Sequence, residues 1–182
     1  MISIRGNKTN LIEITESDAA EMMKLRNDPV YNKFLFQKEL TIEDQIKWIK
    51  INKDKTDAKN FKVTNSNNEF KGTVSIYNIE NKSGEFGRYI VTNPINAIEA
   101  EYLLLKICFE TLGLRAVFCQ TNAENKAVWG QHLKMGFRET ATKDVSVGSS
   151  GNVLVKAIIQ EITASEFINF DYSKILKLIN FF

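Results

Sequence analysis

Residues 96–113, "NAIEAEYLLLKICFETLG", repeat apolar side chains at helical spacing, and strand-like runs flank them on both sides. Upstream lie "NFKVTN" and "FKGTVSIYNI", joined by the turn "SNNE", and then "KSGEFGRYIVT". Downstream come the β-rich "LRAVFCQT", a second helix "NKAVWGQHLKMG", and the strands "FRETATKDVSV" and "NVLVKAIIQEI" around the turn "GSSG". A meander that then alternates with helices must bury its apolar helix faces on a sheet, so the chain reads as a mixed α/β fold. Asn96 is a plausible cap of the central helix and Gly113 its stop, with Leu103, Leu104, Ile107, Cys108 and Leu112 as core.

Before the meander, "NLIEITESDAAEMMKLRND" reads as a short strand and a helix, capped by Ser17 or Thr15 and ended by Asp28-Pro29. "TIEDQIKWIKINKD" reads as another helix, with Thr41 as cap and Asp44 three residues on. The chain of 182 residues carries no internal repeat or long linker and suits one domain, residues 1–182, with a helical extension over about 164–182. A net charge of +2, with no basic run, gives no footprint for nucleic acid. "EYLLLKICFETLGL" is too short and too charged to span a bilayer, and "MISIRGNKTN" lacks the apolar core of a signal peptide. Cys108 and Cys119 fall in apolar segments and read as free buried thiols, which suits a cytoplasmic protein. No membrane partner is expected, and no metal is implied. "DYSKILKLINFF" is amphipathic and reads as a helix docked on the protein itself or on a second subunit, which makes a homodimer possible.

The chain's one histidine, His132, lies in "NAENKAVWGQHLKMGF", seven residues after Asn125 and four before Gly136-Phe137. Together with the order of elements, this stretch resembles the last helix of the GNAT superfamily of acetyl-CoA-dependent N-acetyltransferases, where an aromatic hydroxyl holds the place of His132. "ITESDAAEMMKLRNDP" and "FKGTVSIYNIENKSGEFGRYIV" resemble the branch containing ribosomal-protein N-terminal and amino-sugar acetyltransferases. The resemblance implies a mostly antiparallel sheet of about seven strands, splayed between the fourth and fifth, with the pantetheine arm of acetyl-CoA in the gap. It places Tyr89, Ile90 and Val91 along that arm, a main-chain N–H in residues 88–91 as oxyanion donor, and the pyrophosphate on backbone amides around Asn96, Ala97 and Ile98. The family's glycine-containing loop is replaced here by "TNPINAIEA", with Ala97 at its second glycine place. Amides at a helix start hold phosphate whatever their side chains.

Acetyl transfer needs a neutral amine, an oxyanion donor and a proton for the departing thiolate. The resemblance makes Glu85 the base, acting through water, with a solvated strand-end carboxylate as the plain alternative. In a regular strand Glu85, Gly87 and Tyr89 share one face, opposite Phe86, Arg88 and Ile90. His132 is implied to lie at the CoA sulfur, as proton donor or hydrogen-bond partner, where a structural histidine is the alternative. Asn125 is expected to anchor the pantetheine or to cap its helix. Acceptor residues come from "KLRNDPVYNKFLFQKELTIEDQIKWI", above all Arg26, Asn27, Tyr31 and Phe36, with Phe34 and Trp48 beside them. Amides, guanidinium and flat rings suit a nucleotide-linked amino sugar of bacterial surface-glycan synthesis. The competing readings are a protein N-terminus, a small amine, and a GNAT domain that binds without turnover.

Overall fold

The computed structural model describes residues 2–147 and 153–181. Its strands are β1 (Ser3–Arg5), β2 (Thr9–Glu13), β3 (Lys59–Asn65), β4 (Phe70–Glu80), β5 (Ser83–Val91), β6 (Ala116–Asn122), β7 (Arg138–Val147) and β8 (Val153–Thr163). They form a sheet in the order β1-β2-β3-β4-β5-β6-β8-β7, antiparallel throughout except for β5 against β6. The helices are α1 (Ala19–Asn27), α2 (Ile42–Lys53), α3 (Pro94–Lys106), α4 (Lys126–Lys134), α5 (Ala164–Asn169) and α6 (Ser173–Phe181). The mixed sheet and its flanking helices match the fold expected from the sequence. The described sheet has an eighth strand, because "SIR" pairs with Asn10–Ile12 at the edge, so the splay falls between β5 and β6. The "GSSG" turn lies outside the described residues. No helix among the described residues is long and apolar enough to cross a membrane.

Local chemistry explains the helix starts. Thr15 closes a capping box on the turn before α1, Thr41 does so on α2 and Thr163 on α5. α3 begins earlier than its periodicity implies. Its cap is Asn93 and not Asn96, with Pro94 in the first helical position, where the missing N–H costs nothing. Asn96 instead turns inward and donates from Nδ2 to the Lys8 carbonyl and to Thr9 Oγ1, both at 2.9 Å. α3 passes into a wider turn at Ile107–Thr111, and Gly113, at φ 63°, provides the left-handed stop.

Leu103, Leu104, Ile107 and Cys108 pack into one core with Phe61, Val74, Phe86, Val117 and Ile162. α6 docks on α3, burying Ile179. A polar clamp ties the edge hairpin to the same helix: Glu99 accepts from the backbone N–H of Asn7 (2.6 Å) and Lys8 (2.9 Å), and Asn7 bonds Asn180 of α6.

Candidate active site

β5 and β6 share only three register pairs, Ser83↔Ala116, Gly84↔Val117 and Glu85↔Phe118. Beyond Glu85 the two strands part. β4 holds β5 to Val91, and β8 holds β6 to Asn122, so each keeps one satisfied edge. The facing edges form a wedge whose main-chain groups have no ladder partner, which is the donor and acceptor row an amide-bearing arm needs. Tyr89, Ile90 and Val91 lie on the parted stretch of β5, and Ile90 is buried.

The parted stretch is not a regular strand. Register steps from Ser75↔Gly87 to Thr73↔Ile90, so Arg88 and Tyr89 together oppose Val74, and Arg88 takes φ 49°. This bulge breaks the expected alternation of faces. Tyr89 does not share a face with Glu85; its ring lies 5.3 Å from that of Phe86 and 6.0 Å from that of His132. Arg88 swings to the Glu85 side, 4.2 Å over the Tyr77 ring and 5.1 Å from the Trp48 ring.

Glu85 sits at the fork. Its carboxylate accepts from Tyr77 Oη (3.0 Å), Asn78 Nδ2 (3.0 Å) and Gln120 Nε2 (3.3 Å), the last reaching across from β6. Burial, and then the Glu85 charge, push the Tyr77 hydroxyl well above its ordinary range, so Tyr77 stays a donor to Glu85.

His132 lies beneath the wedge, 1% exposed, in edge contact with Phe86 at 5.1 Å and beside Phe137 at 5.3 Å. Gly136, at φ 96°, makes the turn that brings Phe137 under the ring. Nδ1 is 2.7 Å from the fully buried Glu101 of α3, a residue that sequence reasoning passed over as part of an apolar helix. Asn125 holds the cap position of α4 but makes no capping bond with its side chain. Trp129 secures the start of that helix by donating from Nε1 to the Ala123 carbonyl at 3.1 Å.

At the α3 start, Asn93 Oδ1 accepts from the N–H of Ile95 (2.9 Å) and Asn96 (3.2 Å), while Ala97 N–H bonds the Asn93 carbonyl at 2.8 Å. The amides expected for pyrophosphate around Asn96, Ala97 and Ile98 thus begin in the hold of the chain's own cap. Rotation of the exposed Asn93 side chain releases the Asn96 amide and that of its neighbour Ile95, while the Ala97 amide stays on the Asn93 carbonyl.

Of the acceptor candidates, Arg26 lines a cavity of about 170 Å³ between α1, α2 and the sheet, with Gln37, Asp44, Trp48, Thr73, Ser75 and Arg88. Asn27 instead closes the loop over 28–41, donating to the Leu40 carbonyl (2.7 Å) and accepting its N–H (2.9 Å). Tyr31 and Phe36 are half-buried in that loop and line neither this cavity nor a neighbouring one of about 450 Å³. Arg88 was missed; an arginine three residues before a strand's end gives no sequence sign that a bulge will aim it at a pocket. Arg26 bonds Gln37, and Arg88 bonds Asn60 Oδ1 at 2.9 Å. Neither has a carboxylate partner among the described residues. Burial lowers both guanidiniums; the Arg88 charge lowers Arg26 further, whereas the Tyr77, Glu85 and Asp57 groups partly offset the lowering of Arg88.

The comparisons agree with this geometry. The family model "Acetyltransferase (GNAT) domain" matches residues 8–138. No curated protein sequence matches. Among solved structures, a nucleotide-linked sugar GNAT, FdhC in its apo form, superposes with TM-score 0.77 at 24% identity over 92% of this chain and 93% of its own. Spermidine N-acetyltransferase from Vibrio cholerae, in complex with CoA and spermine, gives TM-score 0.77 at 17% identity over 89% of this chain and 99% of its own. A GNAT-family acetyltransferase from Bacillus anthracis gives 0.78 at 18% over 90% and 99%. With most of its length under one family model and a parted pair of strands at its centre, the chain belongs to the GNAT acetyltransferase family.

Proposed function

We propose that the chain transfers an acetyl group from acetyl-CoA to the primary amine of a nucleotide-linked amino sugar. The observation that carries this reading is that Arg26 and Arg88 line one cavity, both desolvated and neither in a direct ion pair among the described residues, with Asp44 on the same lining and the Glu85 and Asp57 charges reaching Arg88 only at longer range. Burying unpaired like charges is unfavourable unless an anion completes the site. The diphosphate of a nucleotide sugar is such an anion, whereas a polyamine would meet repulsion. Trp48 adds a flat face at the same wall.

Arg88 also links this cavity to the chemistry. It stacks on Tyr77, whose hydroxyl donates to Glu85 at the fork of the wedge. In this reading Glu85 takes the amine's proton through water, and the free edge of β5 supplies a main-chain donor to the developing oxyanion. His132 lies under the thioester sulfur. FdhC is described as a nucleotide-linked sugar GNAT, which supports the same acceptor class.

A coupled thiol-release assay tests the proposal, with nucleotide-linked amino sugars set against spermidine, spermine and ribosomal-protein N-terminal peptides. Turnover of the nucleotide sugars, falling as salt rises, is the expected outcome. Preference for a polyamine or a peptide would overturn the acceptor. Thiol release with none of them would favour a binding domain without turnover.

A further inference from the structure

His132 and Glu101 form a closed pair inside the protein, 1% and 0% exposed. Both carboxylate oxygens are occupied by side-chain nitrogens of α4: Oε1 by His132 Nδ1 at 2.7 Å, and Oε2 by Gln131 Nε2 at 2.6 Å. Gln131 Nε2 also reaches the Tyr89 hydroxyl, 2.5 Å away on β5. Among the described residues no lysine or arginine pairs with Glu101, so its one basic partner is the imidazole. A carboxylate with no other counter-charge is an unfavourable thing to place in a core, and an apolar residue would fill the same space at less cost.

The remaining ring nitrogen completes the picture. Among the described residues His132 Nε2 has no protein partner, yet no fully buried side-chain nitrogen or oxygen there is left unpaired. What exposure the ring retains therefore includes Nε2. The ring rests on Phe86 and Tyr89, the stretch of β5 that has left β6.

We propose that Glu101 is the positioning residue of the transfer: it takes the Nδ1–H of His132, fixes the ring's tautomer and angle, and so makes Nε2 the atom that handles the proton at the departing sulfur. This rests on the acetyl-transfer reading above. As the amine nitrogen bonds to the acetyl carbon, the carbon–sulfur bond breaks and its electron pair stays on sulfur. Nε2–H gives its proton to that thiolate and is reprotonated from solvent. The proton lost by the amine leaves through water toward Glu85. The products are the amide and free CoA thiol. With Nδ1 held on the carboxylate, Nε2 is the ring nitrogen left to face the sulfur.

The titratable groups around the pair do not compete for that proton. Tyr89 on β5, Cys119 on β6 and Tyr172 ahead of α6 are all pushed up, by burial first and by the Glu101 charge second. They stay neutral near pH 7, so the carboxylate and the imidazole are left to each other.

The test uses the chain's single histidine, which makes its imidazole resonances unambiguous in ¹⁵N-labelled protein. Near neutral pH, Nδ1 should carry a proton, and added CoA should shift Nε2 while leaving Nδ1 in place. A bare Nδ1, or a bound CoA that leaves Nε2 unmoved, would overturn the inference while the acetyl-transfer reading stands. Glu101→Gln keeps the shape and removes the charge; its kcat should fall by at least about tenfold while its KM for acetyl-CoA holds. A kcat equal to that of the wild type would also overturn it. Should Glu101→Gln not fold, Glu101→Asp keeps the charge and the tautomer measurement on the wild type still decides. Calorimetry with CoA separates the two claims, since absence of binding would defeat the proposed function and leave the tautomer result readable.

Discussion

The side-chain oxygen of Asn93 lies 2.9 Å from the backbone nitrogen of Ile95 and closes the first turn of α3. The same oxygen holds Asn96 N–H, so a pyrophosphate reaching this helix start must displace a group that is already bound there. Asn93→Gly leaves a tolerated cap residue and no competing oxygen. Its cost to stability should be a few tenths of a kcal/mol. Isothermal titration should show acetyl-CoA binding about fivefold tighter, since about 1 kcal/mol of cap interaction no longer opposes it.

Arg26→Leu separates binding from stability. It removes one of two repelling buried cations from the 170 Å³ cavity. The variant's melting temperature should hold or rise, as replacement of an unneutralised buried charge by an apolar side chain usually allows. Its KM for the anionic acceptor should rise at least about tenfold, with one or two charge-assisted hydrogen bonds lost. The KM for acetyl-CoA should not change.

Asn125→Ala offers the converse. The Asn125 side chain makes no capping bond, so a thermal melt should move little. If its amide serves the pantetheine, acetyl-CoA affinity should fall by about fivefold to tenfold, the value of one hydrogen bond.

Glu85→Gln keeps the shape at the fork but loses one acceptor oxygen and the base. We expect kcat to fall by about 10²-fold, with acetyl-CoA binding retained by calorimetry. Tyr77→Phe, which removes the 3.0 Å donor to Glu85, should give a smaller loss in the same assay.

An acid effect on stability should trace to the start of α5. Hydrogen bonds from Thr163, and then from Arg138, hold the Glu166 carboxyl below its usual range. Because the folded value lies below the unfolded one, the stabilisation is complete above about pH 4.3 and is lost as pH falls through the folded value. The group is partly exposed, so the effect should be about 0.5 kcal/mol or less. Melting curves of Glu166→Gln between pH 3 and 6 should show a shallower acid decline than the wild type.

Much of the fold was legible because its signals are local. Thr41 with Asp44, Gly113, and Gly136-Phe137 each fix a boundary through the nearest few residues. The α3 cap was misplaced although Pro94 marked it, since proline favours the first helical position and so points to Asn93. The site was less legible because its contacts span distance. Glu101 goes unnoticed in an apolar helix until His132 arrives from 31 residues away. Arg88 reads as a strand residue until the bulge opposite Val74 reverses its direction. The acceptor loop misled for another reason: Asn27 has the hydrogen-bonding capacity of a ligand contact and spends it on Leu40.

The Glu99 clamp brings the first hairpin and α6 to the outer side of the helix whose opening turn we propose for the pyrophosphate. Residues 6–8, α3 and Asn180 thus behave as one mechanical joint. Anything that pulls on that joint, such as a fused tag or removal of residues 173–181, will be felt as altered coenzyme affinity far from the altered spot.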